Sequence, residues 1–329
     1  MPHTEIGGHR LSLSNLDKVL YPATGFTKGE AIHYYASVAD AVLPHLDGRP
    51  LSFLRYPDGV EGEKFFTKHV PPGTPSWVTT RKISVVSKEP LHQVLIQDEA
   101  TLVWAANLAA LELHTPQWQA DHQAKADRLV FDLDPGEGAD ILDCRTIADW
   151  LRERAAEDGI TVLPKTSGSK GLHLVAPIER TPSDKVSAYA KKLAQEAEAD
   201  MPDQAVSKMA KVLRGGKVFV DWSQNNQAKT TAAPYTLRAK EHPTVSTPVT
   251  WDELAAARKP RDLVFHAADL PARLEEHGDL LAPLLADDGN GRRTGGGTGA
   301  AGKRGKSGGD GKSKGKGTGR SATRGRIPE

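Results

Sequence analysis

The segment Arg128-Leu129-Val130-Phe131-Asp132-Leu133-Asp134-Pro135-Gly136 constrains this chain more than any other. Leu129 to Leu133 are mostly apolar and read as a strand, which Pro135-Gly136 ends with a turn. Residues two apart in a strand share a face. Asp132 and Asp134 therefore stand side by side, while Phe131 and Leu133 are free to bury on the other face. Two ionised carboxylates about 4 Å apart repel by roughly 4 kcal/mol at an effective dielectric near 20. Such a pair calls for a cation to hold or a proton to share. The same residues also describe a plainer strand, ending in a turn-favouring Asp beside a solvated one.

Lys217-Val218-Phe219-Val220-Asp221-Trp222 repeats the pattern, an apolar strand with an Asp near its end, entered through a Gly215-Gly216 turn. If this strand neighbours the first, Asp221 becomes a third carboxylate at the same mouth. Three hard oxygen donors suit Mg²⁺ or Mn²⁺ and not zinc. Two such ions can stabilise the attacking and leaving oxygens of an in-line phosphoryl displacement.

The net charge of +1 over 329 residues hides an asymmetry. Residues 287–329 hold eleven Lys/Arg against four Asp/Glu, leaving −6 on residues 1–286. They also hold 15 of the 31 glycines, so this stretch is expected to be a disordered tail and a non-specific polyanion tether, or else a solubilising linker. The expected organisation is thus one domain over 1–286 and a basic tail over 287–329. With Cys144 the only cysteine, disulfides and Cys-based zinc sites are excluded. The polar start and the lack of a long apolar run suggest a soluble, cytoplasmic protein with no membrane partner.

Elsewhere the pattern alternates short strands and helices. Thr27 and Glu30 form a capping box before an apolar stripe from Ile32 to Leu43, ending at Pro44. That helix start, with Lys28 in its first turn and Lys18 nearby, is a candidate anion site, although such lysines are commonly just solvated. Pro50 to Gly59 reads as a strand with Arg55 at its end. In Lys64-Phe65-Phe66-Thr67-Lys68-His69 a regular strand would bury one Phe and expose the other for base stacking; the alternative buries both. Helices are expected over 99–108, 141–157, 183–199, 206–213 and 270–285, and a further one after the Thr250–Glu253 capping box. Strands are expected at 111–114, 160–163, 172–177 and 234–238. Between two of them, Lys165-Thr166-Ser167-Gly168-Ser169-Lys170-Gly171 offers small residues, hydroxyls and a cation, either an anion cradle or a plain hairpin turn. It lacks Walker spacing.

Taken together, Leu16-Asp17-Lys18-Val19-Leu20-Tyr21-Pro22, Arg49-Pro50-Leu51, Phe65-Phe66-Thr67-Lys68, Leu113-His114-Thr115, Phe131-Asp132-Leu133-Asp134-Pro135, Thr166-Ser167-Gly168-Ser169-Lys170-Gly171-Leu172-His173 and Asp221-Trp222-Ser223-Gln224-Asn225 resemble the polymerase domain of bacterial ligase D. That domain belongs to the archaeo-eukaryotic primase superfamily, and the motifs run in order over residues 11–260. The resemblance implies an α+β fold, an N-terminal α/β module packed on an RRM-like module with the active site between them. It implies that Asp132, Asp134 and Asp221 bind two Mn²⁺ or Mg²⁺ ions and that His114 is an active-site histidine. Ser167, Lys170 and His173 would contact the incoming NTP or dNTP, with Lys229 and Arg238 nearby. Lys18 and Lys28 would receive the 5′-phosphate of a gapped or broken DNA, and Phe65 and Phe66, beside Arg55, would pack against template bases.

The implied activity is nucleotidyl transfer: adding (ribo)nucleotides to 3′ ends at gaps and breaks during bacterial non-homologous end joining, near the nucleoid. Ligase D also carries a ligase domain with a Lys-x-Asp-Gly motif. Here Lys125-Ala126-Asp127-Arg128 is only a near miss, so a separate ATP-dependent DNA ligase and the Ku end-binding protein are expected partners. Two rival readings are a phosphatase resembling the haloacid dehalogenase group, with Asp132 as nucleophile, and a non-catalytic DNA-end binder.

Overall fold

A computed structural model describes residues 3–285 and 324–328. Two sheets, each with its own hydrophobic core, carry the architecture. The first sheet orders its strands Thr231–Ala232, Ala110–Thr115, Ser52–Arg55 and Phe65–Thr67. Its core, which includes Ile32, Tyr35, Val42, Phe53, Val103 and Leu113, is covered by the helices Lys28–Ser37, Ala39–Leu46 and Glu99–Asn107.

The second sheet orders Leu163–Thr166, Leu172–Pro182, Lys125–Pro135, Val218–Asp221 and Ala205–Val206, with only the last pair parallel. Helices Asp143–Glu157 and Ser183–Asp200 cover one face. Along the chain this runs strand, helix, two strands, helix and two strands; without the short edge strand Ala205–Val206 it is the split β-α-β arrangement. In the central strand Leu129, Phe131 and Leu133 pack under those helices. Val130, Asp132 and Asp134 occupy the opposite face, as the period of two requires. Leu281 and Leu284 cover Val130 there, while the carboxylate end is left for the first module to meet.

One side chain ties this sheet to the loop after Asp221. Asn225 Nδ2 donates to the Val130 carbonyl at 2.7 Å, and the Val130 amide donates to Asn225 Oδ1 at 2.9 Å. The amide side chain thereby takes the place of a strand residue. A buried ion pair anchors the strand's other end, where Arg49 Nη2 donates to both Asp127 carboxylate oxygens at 2.8 Å.

Several expectations shift. The stripe from Ile32 to Leu43 spans two helices, because the chain turns at Val38, and Pro44 lies inside the second one instead of ending it. The helix expected over 206–213 is absent. Ala205 and Val206 pair with Val218 and Phe219, and only a short 3-10 turn, Lys211–Leu213, follows. Pairing at a sheet edge overrides helical propensity here, since Val212 at 88% exposure has no face to bury. The strand after Ile160 starts later, at Leu163, and runs through Lys165 and Thr166, both buried. The last helix stops at His277, where Gly278 takes φ 64°.

Of the tail expected over 287–329, residues 287–323 and 329 lie outside the described residues. Arg324 to Pro328 are placed, and Gly325 pairs with Ile178 of the second sheet. Among the described residues no helix is long and apolar enough to cross a membrane.

Replacing Asn225 by Ala should strand a buried amide and a buried carbonyl on Val130. A loss of about 2 kcal/mol or more is expected in urea unfolding. Unchanged stability would mean that water or a backbone shift restores both bonds.

Candidate active site

Strand register assembles the acidic cluster. Asp132 lies between two neighbours, directly opposite Asp221 on one side and His173 on the other. Asp134 follows two residues along, opposite Phe219. The third carboxylate expected from the sequence therefore sits on the adjacent strand. Two glycines allow the surrounding turns to close. A Cβ on Gly136 would lie 1.8 Å from the Arg214 carbonyl, and one on Gly171 would lie 2.3 Å from the Leu133 carbonyl.

Asp132 and Asp221 have present company. His173 Nε2 lies 3.2 Å from Asp132 Oδ1. Asp221 Oδ1 accepts from the Ser223 amide at 2.9 Å and hydroxyl at 2.6 Å, and Oδ2 accepts from Gln224 at 2.9 Å. As they lie, no three His, Cys, Asp or Glu side chains among the described residues are gathered into a metal-holding group. The strand pairing brings the backbones together; the side chains hold other partners.

Burial and mutual repulsion dominate the electrostatics. Desolvation, then the neighbouring Asp221, pushes Asp132 up to about 7. Desolvation and Asp132 push Asp134 up to about 6. The opposing charges come from Lys165, Arg238 and His114, all of which favour ionised Asp132. Lys165 is 2% exposed, donates to Ser246 Oγ, and is brought down to about 7 by burial and Arg238. Burial, followed by the Lys165 and Arg238 charges, drives His173 well below its ordinary value, so its ring is neutral near pH 7.

The first module supplies the other wall. Glu112 and His114 sit two apart on the same strand, with His114 Nε2 at 2.8 Å from Glu112 Oε2. Glu112 also pairs with Arg238 Nε at 3.1 Å and accepts from the Ala239 amide at 3.0 Å. These contacts hold Glu112 down at about 2 against the opposing cost of its burial. His114 is lowered, mainly by burial.

The remaining expected residues fall into three groups. Around the Ser/Gly/Lys loop, Ser167 Oγ already accepts the Ser169 and Gly171 amides, and Arg238 Nη1 donates to the Ser167 carbonyl. Gly168, at φ 67°, backs onto Val245, leaving no room for a side chain. Burial, then the charges of Arg238, Lys64 and the exposed Lys170, lowers Lys240. Lys229 is separate from this group and acts on Lys68, whose Nζ donates to the Ala228 carbonyl at 3.3 Å.

The second group is Lys18 and Lys28, which the structure brings together. Lys28 is 6% exposed and donates to the Ser14 carbonyl at 2.6 Å; burial and the Lys18 charge lower it to about 8. Lys18 pairs with Asp58 at 2.7 Å. The helix amides themselves are spent. Those of Lys28 and Gly29 donate to the Lys18 and Leu16 carbonyls, and that of Glu30 to Thr27 Oγ1. An anion here would meet two ammonium groups and not a helix end.

The third group is Arg55, Phe65 and Phe66. Both phenylalanines are exposed, 42% and 55%, where alternation predicts one buried. Their strand is the outer one of its sheet, with neither face covered. Arg55 faces Phe65 across the pairing and donates to the Leu108 carbonyl at 3.0 Å. Lys68 Nζ lies 5.5 Å from the Phe66 ring centre.

Sequence reading missed Lys165, Glu112 and Lys240. Glu112 carried a signal, since it shares a strand face with His114. Lys165 sat in a stretch read as loop.

Comparison with known proteins agrees with this geometry. The LigD primase-polymerase domain family matches residues 27–281. The multifunctional non-homologous end joining protein LigD of Mycolicibacterium smegmatis is 46% identical over 281 residues, 84% of this chain and 36% of that protein. The bifunctional LigD of Bacillus subtilis is 30% identical over 253 residues, 76% of this chain and 40% of that protein. The chain thus spans little more than a third of the length of these relatives. Among solved structures, the polymerase domain of Mycobacterium tuberculosis ligase D in complex with DNA superposes with a TM-score of 0.79 at 43% identity, covering 84% of this chain and 99% of that one. The paired acidic strands, the facing Glu112–Arg238 wall and this match over most of the chain agree: the chain belongs to the LigD primase-polymerase family.

Proposed function

We propose that the protein is a DNA-repair polymerase of the primase type, adding NTPs or dNTPs to 3′ ends at gaps and double-strand breaks. The observation that carries this reading is the pairing of Asp132 with Asp221 across adjacent strands, Asp134 two residues on, facing the cations Lys165 and Arg238. In the reaction the primer 3′-hydroxyl attacks the α-phosphate and pyrophosphate leaves. The second module corresponds to the RRM-like half of the primase fold, and the α/β first module closes the site over it.

The donor set fits divalent ions. Three carboxylates, two of them raised by burial and by each other, form a site that a hard cation would relieve. Asp132, Asp134 and Asp221 would hold two Mn²⁺ or Mg²⁺ ions, with Asp221 released from Ser223 and Gln224. When bound, such ions lower the cost of the attacking and leaving oxygens. The protein's own residues do the rest. Lys170, Lys240 and Lys64 line up cationic charge for the triphosphate, with Arg238 fixed at the rim by Glu112. His173 carries a buried Nδ1 without a hydrogen-bond partner among the described residues, which in the neutral ring would accept from a nucleotide hydroxyl. His114, held by Glu112, faces the same carboxylates. Ser167 orders the loop main chain.

Lys18 and Lys28 would take a 5′-phosphate, while Phe65 and Phe66 stack on template bases with Lys68 and Lys229 near the backbone. End joining with Ku and a separate ATP-dependent ligase, in the bacterial cytoplasm at the nucleoid, completes the proposal. It draws on the end-joining names of the relatives and the DNA in the similar structure.

A gapped duplex with a 5′-phosphate, labelled NTPs and Mn²⁺ tests the reading. Wild type should extend the primer, and Asp132→Ala should lose at least ~10³-fold in rate. Undiminished extension by that variant would remove the assignment; phosphate release from small monoesters without extension would favour the phosphatase.

The raised carboxylates give a second test. Folded Asp132 holds its proton more tightly than the unfolded chain, whose aspartate has the ordinary value of 3.8. Ion-free protein therefore loses stability as pH rises from about 4 to 7. Asp132→Asn should match wild type near pH 4 in EDTA and melt higher at pH 8, by on the order of 3–5 °C. A difference constant across that range would discard the electrostatic account.

Lys28 is tested by gel shift. Lys28→Met should weaken binding to 5′-phosphorylated gaps roughly tenfold and to 5′-hydroxyl gaps far less. Wild-type discrimination should fade as pH rises past about 8, where Lys28 discharges. Equal losses on both substrates would remove the phosphate pocket.

A further inference from the structure

The strand Leu172–Pro182 outruns its neighbour. Its pairing with Leu163–Thr166 ends at Val175, which leaves the edge from Ala176 onward open on that side. Residues 324–328 lie against that open edge. The Gly325 amide donates to the Pro177 carbonyl at 3.0 Å, and the Glu179 amide donates to the Gly325 carbonyl at 2.8 Å. Arg324 Nη1 donates at 3.1 Å to the carbonyls of both Asp127 and Ile178. Ile327, 8% exposed, joins the second core with Ile160 and Ile178.

Each position is selective. A Cβ on residue 325 would stand 2.8 Å from Ile160 Cγ1 and 3.2 Å from Ile160 Cα, so glycine is what lets the segment approach Ile160 this closely. One carbonyl met by Arg324 is that of Asp127 itself, whose carboxylate the Arg324 charge helps keep ionised. The apolar slot for Ile327 is continuous with the core. Main-chain bonds for affinity and alternate side-chain contacts for specificity are how an extended peptide is recognised at a sheet edge.

We propose that the edge of strand Leu172–Pro182 beyond Val175 is a docking groove for an extended Arg-Gly-x-Ile peptide, and that the chain's own Arg324–Pro328 fills it in cis. The placing of both roots favours the cis occupant. Leu284 packs on Val130 and Val175, and Arg324 reaches Asp127 and Ile178, three residues further along the same two strands. That separation is about 10 Å. The described residues on either side of 286–323 thus lie at neighbouring points on one sheet. Closing a longer loop costs little extra, and a tethered segment reaches its groove at about millimolar effective concentration. Asp132 lies five residues from Asp127, about 16 Å along the strand, so the docked segment sits away from the acidic cluster.

The test uses the full chain and a fluorescein-labelled peptide, Thr-Arg-Gly-Arg-Ile-Pro-Glu. Ile327→Asp should undock the segment. Amide exchange at residues 176–181 should then quicken at least tenfold, and the labelled peptide should bind the variant at least tenfold tighter than wild type. Gly325→Val, which leaves the apolar side chain of Ile327 intact, should do the same, so misfolding of one variant does not decide the matter. Unchanged exchange in both variants, or equal peptide binding to variant and wild type, would overturn the groove. A wild-type dimer whose 176–181 protection is lost on dilution would overturn the cis assignment, because the occupant would be a second copy.

Discussion

The site depends on holding carboxylates closer together than they would choose. A fixed register in an antiparallel sheet puts Asp132 opposite Asp221, and the strand period adds Asp134. Burial removes the water that would screen them, which is why Asp132 and Asp134 are raised so far. The opposing side is a set of cations that is itself costly to bury. Lys165 is driven down by the same desolvation, and Arg238 is balanced by Glu112. Each half of the cluster is unfavourable alone and less so beside the other.

This balance joins the two modules. The acidic residues rest on the core under helices Asp143–Glu157 and Ser183–Asp200, whereas Glu112 and His114 rest on the core under Lys28–Ser37 and Glu99–Asn107. Arg238 bridges them, bound to Glu112 on one side and to the Ser167 carbonyl on the other. The electrostatics of the acidic cluster and the packing of the modules are therefore one interaction, and a shift between the modules changes the charge felt by Asp132.

Much of the second sheet was legible because its pattern is strong. Apolar runs broken by Asp at 132, 134 and 221 needed only neighbouring strands to become a cluster, and the capping boxes at Thr27 and Thr250 both formed. Other features depended on distant partners. Lys165 reads as a loop cation until Ser246 and the acidic cluster are placed around it. The stretch after Ala205 has helical composition, and only the adjacent strand edge explains its extended start. Exposure of both Phe65 and Phe66 follows from sheet order, which local alternation does not contain. Arg324–Pro328 lies in a glycine-rich, basic composition that argues against any packed contact, and its seat depends on the end of a strand more than 140 residues earlier.

The outer strand Phe65–Thr67 has a further consequence. Paired on one side only, it leaves main-chain donors and acceptors open beside two exposed rings, the combination that invites another polypeptide to add on. Lys64 and Lys68 bracket it, and charges at such margins repel an approaching copy of themselves. The same two cations that flank the exposed rings thus also guard this rim against self-association.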